Sequence, residues 1–119
     1  MKNKIYYIFV FLFFFLGEAK LAESQEAKVI LNEVAWMGTT SSASDEWIEL
    51  FNNSSSTISL SDWTLSARDG SPSILLEGEI SDNSYFLLER TDDNTVPETP
   101  ASQIYTGALS NSGEDLELK

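Results

Sequence analysis

The chain has 119 residues, a length that suits one small domain. It contains no cysteine and no histidine, which excludes disulfides, thiol nucleophiles, histidine metal ligation and Ser-His-Asp catalysis within this chain. The net charge of −12 disfavours direct binding of nucleic acid and favours proteins, cationic surfaces, metal ions or neutral glycans as partners. A simpler interpretation is that the acidity keeps an exported domain soluble.

Residues 1–19 have the order of a secretory signal. Two lysines precede an uncharged apolar run from Ile5 to Leu16, and a small-x-small cleavage site ends at Ala19. The run is shorter than the roughly 20 residues that cross a bilayer as a helix. We predict a hydrophobic signal helix or an uncleaved membrane anchor, followed by a linker over residues 20–27. The protein is expected to be secreted or extracytoplasmic, with membrane contact only through this segment, and the lack of cysteine favours a bacterial source.

Short strand patterns separated by turn residues fill the domain predicted over residues 28–119. No window has the spacing of an amphipathic helix, so the pattern predicts an all-β sandwich or barrel. Ile80 is expected to dock a loop, and residues 91–102 form a long connection that contains two prolines. The predicted strands cover residues 29–36, 45–52, 57–60, 63–67, 73–76, 84–90, 103–106 and 115–118.

The last of these strand patterns stops in mid-alternation at Lys119. An unterminated strand is an open edge and an aggregation hazard. We therefore expect the domain to be incomplete, with at least one further C-terminal strand in a longer protein. The alternative is that residues 116–119 form a short final edge strand.

The strand predicted over residues 45–52 is the strongest strand signal in the chain. Alternation puts Trp47, Glu49 and Phe51 on one face, and Glu46, Ile48 and Leu50 on the other. The two glutamates then point to opposite faces, so they do not form an acid–base pair. We expect the acidic residues at the strand edge to be solvated and Glu49 to bond to backbone or a hydroxyl. An inward Glu49 would need a partner.

The chain offers two cationic partners for an inward Glu49, Arg68 and Arg90. The serine-rich tracts around Ser41 and Ser54 are interpreted as loops, because no base is available to activate a nucleophile there.

Three oxygen-bearing residues follow one another in the long connection: Asp92, Asp93 and Asn94. Oxygen-rich loops can hold calcium, so these residues are candidate calcium ligands. Their spacing is not that of a calcium-binding loop, and a solvated loop is the alternative. No other metal site and no cofactor is predicted.

The three tryptophans, Trp36, Trp47 and Trp63, have two possible roles. Exposed together, they would form a platform on which sugar rings stack. Buried, they would belong to the core, which is the commoner place for large aromatic side chains. We expect at least two of them to pack in the core.

Four segments in order resemble the lamin-tail domain family. The opening strand and the glycine that follows it lie in residues 29–38, with the motif Leu-Asn-Glu-Val, and the second strand lies in residues 45–52, with the motif Glu-Trp-Ile-Glu-Leu-Phe-Asn. The third element lies in residues 58–65 and ends in Trp-Thr-Leu, and the fourth lies in residues 110–118 and ends in Gly-Glu-Asp-Leu-Glu-Leu. The resemblance covers residues 29–119 and implies an immunoglobulin-like antiparallel β-sandwich. Members of that family have no recognised catalytic residues; bacterial members often lie beside hydrolases and are thought to mediate attachment or protein contacts.

Together these observations predict a non-catalytic exported module that binds a protein or a component of the cell envelope. The alternative is the N-terminal targeting module of a longer exported hydrolase whose catalytic domain is absent from this chain. A metal-dependent carboxylate hydrolase would need clustered inward acids, which the sequence does not show.

Overall fold

The computed structural model describes residues 28–119, so the predicted signal helix and linker lie outside the described residues. This part of the chain forms nine strands and contains no helix, which confirms the all-β prediction. Residues 28–119 therefore include no helix that could cross a membrane. The strands are β1 Val29–Ala35, β2 Trp47–Asn52, β3 Ile58–Ser59, β4 Thr64–Ala67, β5 Ser73–Leu75, β6 Glu79–Ile80, β7 Tyr85–Arg90, β8 Gln103–Tyr105 and β9 Leu116–Leu118.

All eight predicted strands are present, each shorter than predicted by one or two residues. The prediction for Ile80 was wrong, because this residue lies in β6 and pairs with Ile58 of β3. Its side chain is buried. Two-residue strands carry too little alternation to be recognised in a sequence, and here a partner distant in the chain creates the strand.

The strands form a four-stranded sheet in the order β1-β2-β7-β8, a three-stranded sheet in the order β5-β4-β9, and the β3-β6 pair. The pairs are antiparallel except β7 and β8, which are parallel, so the prediction of a purely antiparallel sandwich was wrong at this position. Parallel neighbours need a crossover of about a dozen residues. The long connection over residues 91–102 provides this crossover.

One hydrophobic core is shared by the inner faces of the two larger sheets, as in a β-sandwich. In β2 the predicted alternation is confirmed, because Ile48 and Leu50 are fully buried whereas Trp47, Glu49 and Phe51 are only partly buried on the outer face. The buried core residues are Val29, Ile48, Leu50, Leu60, Leu65, Ile74, Leu76, Ile80, Phe86, Leu88, Tyr105 and Leu109.

Candidate functional site

Two buried carboxylates are the first candidates for chemistry, and the first of them is Glu46. It was expected to be solvated, and this prediction was wrong: Glu46 is 3% exposed on the inner face. One carboxylate oxygen lies 3.3 Å from Nη1 of Arg90, and the other accepts a hydrogen bond of 2.9 Å from the backbone N–H of Leu109. Both oxygens are therefore engaged in bonds that connect β2 to β7 and to the loop after β8.

Tyr105 is buried at the same end of the inner face, beside Arg90 in the parallel pair. Burial raises the pKa of the Tyr105 hydroxyl above its ordinary value; the nearby Glu46 carboxylate raises it further, and Arg90 opposes the shift. The hydroxyl has no hydrogen-bond partner within residues 28–119. A phenol held neutral in this way is unsuited to act as a base near neutral pH.

Glu89 is the second buried carboxylate, and the sequence did not single it out. It is fully buried, although it lies on the outer face of the four-stranded sheet, opposite Trp47 in β2. Its two oxygens accept hydrogen bonds of 3.0 and 2.8 Å from the backbone N–H groups of Thr95 and Val96. The connection over residues 91–102 therefore folds over Glu89 and covers it, so this carboxylate has a structural role.

The remaining acidic residues around β2 also have local partners. Glu49 accepts a hydrogen bond of 2.6 Å from the side-chain amide of Asn32, and Asp45 accepts one from the hydroxyl of Thr39. We expected Glu49 to bond to backbone or a hydroxyl, and this was wrong because its partner is the amide of Asn32. The two arginines considered for an inward Glu49 bond elsewhere, since Arg90 pairs with Glu46, and Arg68 lies 3.5 Å from Asp115. Glu49 projects from the outer face, where solvent and a neighbouring amide suffice.

The candidate calcium residues lie together in an exposed part of the connection over residues 91–102. The side-chain amide of Asn94 donates a hydrogen bond of 2.9 Å to Asp92, and Asp93 accepts one of 2.7 Å from the backbone N–H of Ala101. No group of three or more aspartates or glutamates lies close enough to hold a metal ion in the part of the chain that the structure describes. Calcium binding at Asp92, Asp93 and Asn94 stays a prediction.

The three tryptophans lie in different places and do not form a platform. Only Trp63 packs against the core, so the expectation that at least two would do so was wrong. Trp47 lies on the outer face of β2 because alternation puts it opposite to Ile48. Trp36 is 39% exposed and lines an open cleft with Leu31 and Val34.

This cleft, which we call the β1–β9 cleft, is an apolar concavity open to solvent. It lies between two edge strands, β1 of the four-stranded sheet and β9 of the three-stranded sheet, and has a volume of about 380 Å³. Its lining consists of Leu31, Val34, Trp36, Ser110, Gly113, Glu114 and Leu116. Three of these residues belong to the core-facing sides of their strands, and they remain only partly buried because no strand among residues 28–119 covers them.

The opposite side of the sandwich is closed. There the side chain of Gln103 in β8 donates a hydrogen bond of 2.9 Å to the carbonyl of Leu75 in β5 and accepts one of 3.0 Å from the N–H of Glu77. The two sheets are thus joined at one pair of edges, whereas no hydrogen bond joins β1 to β9 within residues 28–119. The β1–β9 cleft is therefore the side where the core is accessible.

Comparison with known proteins gives one family match. The model of the Lamin Tail Domain family matches residues 22–118, which is most of the chain and includes all nine strands. The comparison with curated proteins gives no match.

Proposed function

Because this chain belongs to the lamin tail domain family, we propose that it is an exported, non-catalytic immunoglobulin-like module that binds a protein or another component of the cell envelope. The observation that carries this proposal is the contrast between the carboxylates and the cleft. Both oxygens of Glu46 and of Glu89 are engaged in structural bonds, whereas the apolar β1–β9 cleft is open to solvent. Such a surface suits binding better than acid–base chemistry.

Export is proposed from the sequence of residues 1–19 and is tested by localisation. A C-terminally tagged chain produced in a bacterial host should be recovered from the extracytoplasmic fractions, and Phe13→Asp, which interrupts the apolar run, should leave it in the cytoplasm. The matched control is Ser24→Asp, which puts the same charge into the linker and should not alter export. Equal export of both variants would contradict the proposal.

Binding is tested by retention of the purified full-length protein on isolated envelope preparations. Saturable retention that is lost after protease treatment of the envelope would identify a protein partner, and retention that survives this treatment would identify a non-protein component. Absence of saturable retention on envelopes from the source organism would contradict the binding role.

A further inference from the structure

We propose that the outer face of the four-stranded sheet binds an arginine side chain of a partner protein, which lies between aromatic rings and pairs with two carboxylates. This inference rests on the proposed binding function and adds a second surface, apart from the β1–β9 cleft. The outer face of an antiparallel sheet ordinarily carries polar side chains where it meets water. Here it carries a group of residues that we call the outer aromatic face: Glu33, Trp47, Glu49, Phe51 and Tyr85.

Three aromatic side chains form the apolar part of this face. Trp47 and Phe51 lie two residues before and after Glu49 on β2, so about 7 Å of strand separates each of them from it. Tyr85 of β7 pairs with Phe51, with ring centroids 4.9 Å apart, and is 59% exposed. Aromatic rings on both sides of a carboxylate favour arginine, because its planar guanidinium stacks on ring faces and also pairs with carboxylates.

Two carboxylates lie directly opposite each other on this face. Glu33 of β1 and Glu49 of β2 are partners in the strand register, so their Cβ atoms are about 5 Å apart, and like charges at such positions destabilise a sheet. The register shifts between Leu31 and Glu33, and the intervening Asn32 donates a hydrogen bond of 2.6 Å to Glu49. A neutral amide does not compensate two negative charges, so the face retains an attraction for a cation.

The described part of the chain supplies no such cation. Residues 28–119 contain four cationic side chains, and none of them lies within ion-pair distance of Glu33 or Glu49. Three of the four pair with other acids, and the fourth, Lys28, precedes the first residue of β1. An arginine brought by a partner protein would therefore meet uncompensated negative charge.

Other occupants suit this face less well. A second copy of the chain would bring the same two carboxylates, and its own net charge of −12, against them. A neutral glycan would use the rings but would not compensate the two charges. A further strand at the edge of β1 or β9 would lie beside the sheets rather than over this face, and would leave it uncovered.

The test titrates the full chain with a synthetic peptide in which arginine alternates with glycine, and with the same peptide carrying citrulline in place of arginine. Citrulline has nearly the shape of arginine and no charge, so the comparison isolates the charge. At low ionic strength the arginine peptide should shift the NMR signals of the β1 and β2 amides and of the Trp47 indole. The citrulline peptide should bind about tenfold more weakly or not at all.

Glu33→Gln gives two measurements that should move in different directions. It removes one of the opposed charges, so arginine-peptide binding should weaken by about tenfold, whereas Tm should stay the same or rise. The matched control is Glu117→Gln, which removes the same charge from the exposed side of β9 in the other sheet and should leave binding unchanged. Tyr85→Leu keeps an exposed apolar side chain but removes a ring, and it should also weaken binding.

Three results would overturn the proposal. The first is binding that is absent, is equal for the arginine and citrulline peptides, or is weakened equally by Glu33→Gln and Glu117→Gln. The second is binding of chitotetraose, a neutral oligosaccharide, that Tyr85→Leu abolishes and Glu33→Gln leaves unchanged, which would assign the face to a glycan. The third is tighter peptide binding in Lys20→Gln, which would assign the carboxylates to a cation of the same chain.

Retention on envelope preparations separates this inference from the proposed function. Retention that is unaffected by Glu33→Gln and by Tyr85→Leu would refute the role of the outer aromatic face and leave the proposed function standing. Retention that both variants weaken and Glu117→Gln does not would support the two together.

Discussion

Asn52 connects three parts of the fold, and its removal should destabilise the domain more than removal of any exposed amide. The residue lies on the inner face at the end of β2 and is fully buried. Its side-chain amide donates to the carbonyls of Ser56, Ile80 and Ser81 at 2.8, 3.0 and 2.9 Å. Its side-chain oxygen accepts hydrogen bonds of 3.0 and 2.7 Å from the N–H and the hydroxyl of Ser54.

Asn52→Ala would remove all of these bonds at once. A hydrogen bond contributes about 0.5–1.5 kcal/mol net, and a buried polar group left without a partner costs about 1–3 kcal/mol. The Ile80 carbonyl would lose this donor in a buried setting, whereas Ser54, Ser56 and Ser81 lie nearer to water and would recover part of the loss. We therefore expect the free energy of unfolding to fall by about 2–4 kcal/mol, and Tm by roughly 15 °C for a domain of this size.

Urea and thermal denaturation monitored by circular dichroism would measure the effect, with Asn53→Ala as the matched control. Asn53 is the same residue type one position later and is exposed. Its removal should change the free energy of unfolding by no more than about 0.5 kcal/mol. Asn52→Asp keeps the side-chain size but loses the amide donor, and it should also be destabilised. An Asn52→Ala variant as stable as Asn53→Ala would refute the role assigned to these hydrogen bonds.

Three further predictions follow from the described contacts. Glu89→Ala should loosen the connection over residues 91–102 and speed its proteolysis and amide exchange. The control is Glu98→Ala, at an exposed residue of the same connection, which should change neither rate. Equal rates of proteolysis and exchange in the two variants would contradict the anchoring role of Glu89. The folded state raises the pKa of Tyr105, so the neutral hydroxyl contributes stability below a pH of about 10, and this stability is lost as the pH rises above that value. Tyr105→Phe should therefore lessen the alkaline loss of stability in pH-dependent melts. Identical alkaline profiles of the two proteins would contradict this. Gly38→Ala should destabilise the domain by more than about 1–2 kcal/mol in urea denaturation, because its φ of 69° is left-handed and a Cβ there would lie 2.6 Å from the Ser42 carbonyl oxygen. Gly113→Ala also strains the backbone, at a φ of 112°, but has open space around the Cβ, so an equal or larger loss in Gly113→Ala would show that backbone strain outweighs the clash at Gly38.

Alternation alone located the strands and the inner face of β2, because successive side chains of a strand point to opposite sides whatever surrounds them. The same alternation puts Glu46 and Asn52 on the face of Ile48 and Leu50, so a signal for both buried residues was present in the sequence. It was not decisive, because polar residues on an inner face are tolerated only where partners exist. Those partners include the Leu109 N–H, 63 residues away from Glu46.

Glu89 had no such signal. The alternation of side chains along β7 puts Glu89 on the outer face, where a charged residue ordinarily meets water. It is buried only because the connection over residues 91–102 folds across it. The parallel pairing of β7 and β8 likewise depends on the path of that connection.

By itself, then, the sequence determined the fold class, the strand positions in residues 28–119, the family resemblance, and the lack of histidine and cysteine chemistry. The tertiary structure decided which polar residues are buried, which tryptophan packs in the core, and which side of the sandwich is open. The physical reason is that local periodicity gives the direction of a side chain, whereas its burial depends on what distant parts of the chain place over it. The β1–β9 cleft illustrates this, because Leu31, Val34 and Leu116 have the pattern of core residues and remain accessible at the uncovered edges of two sheets.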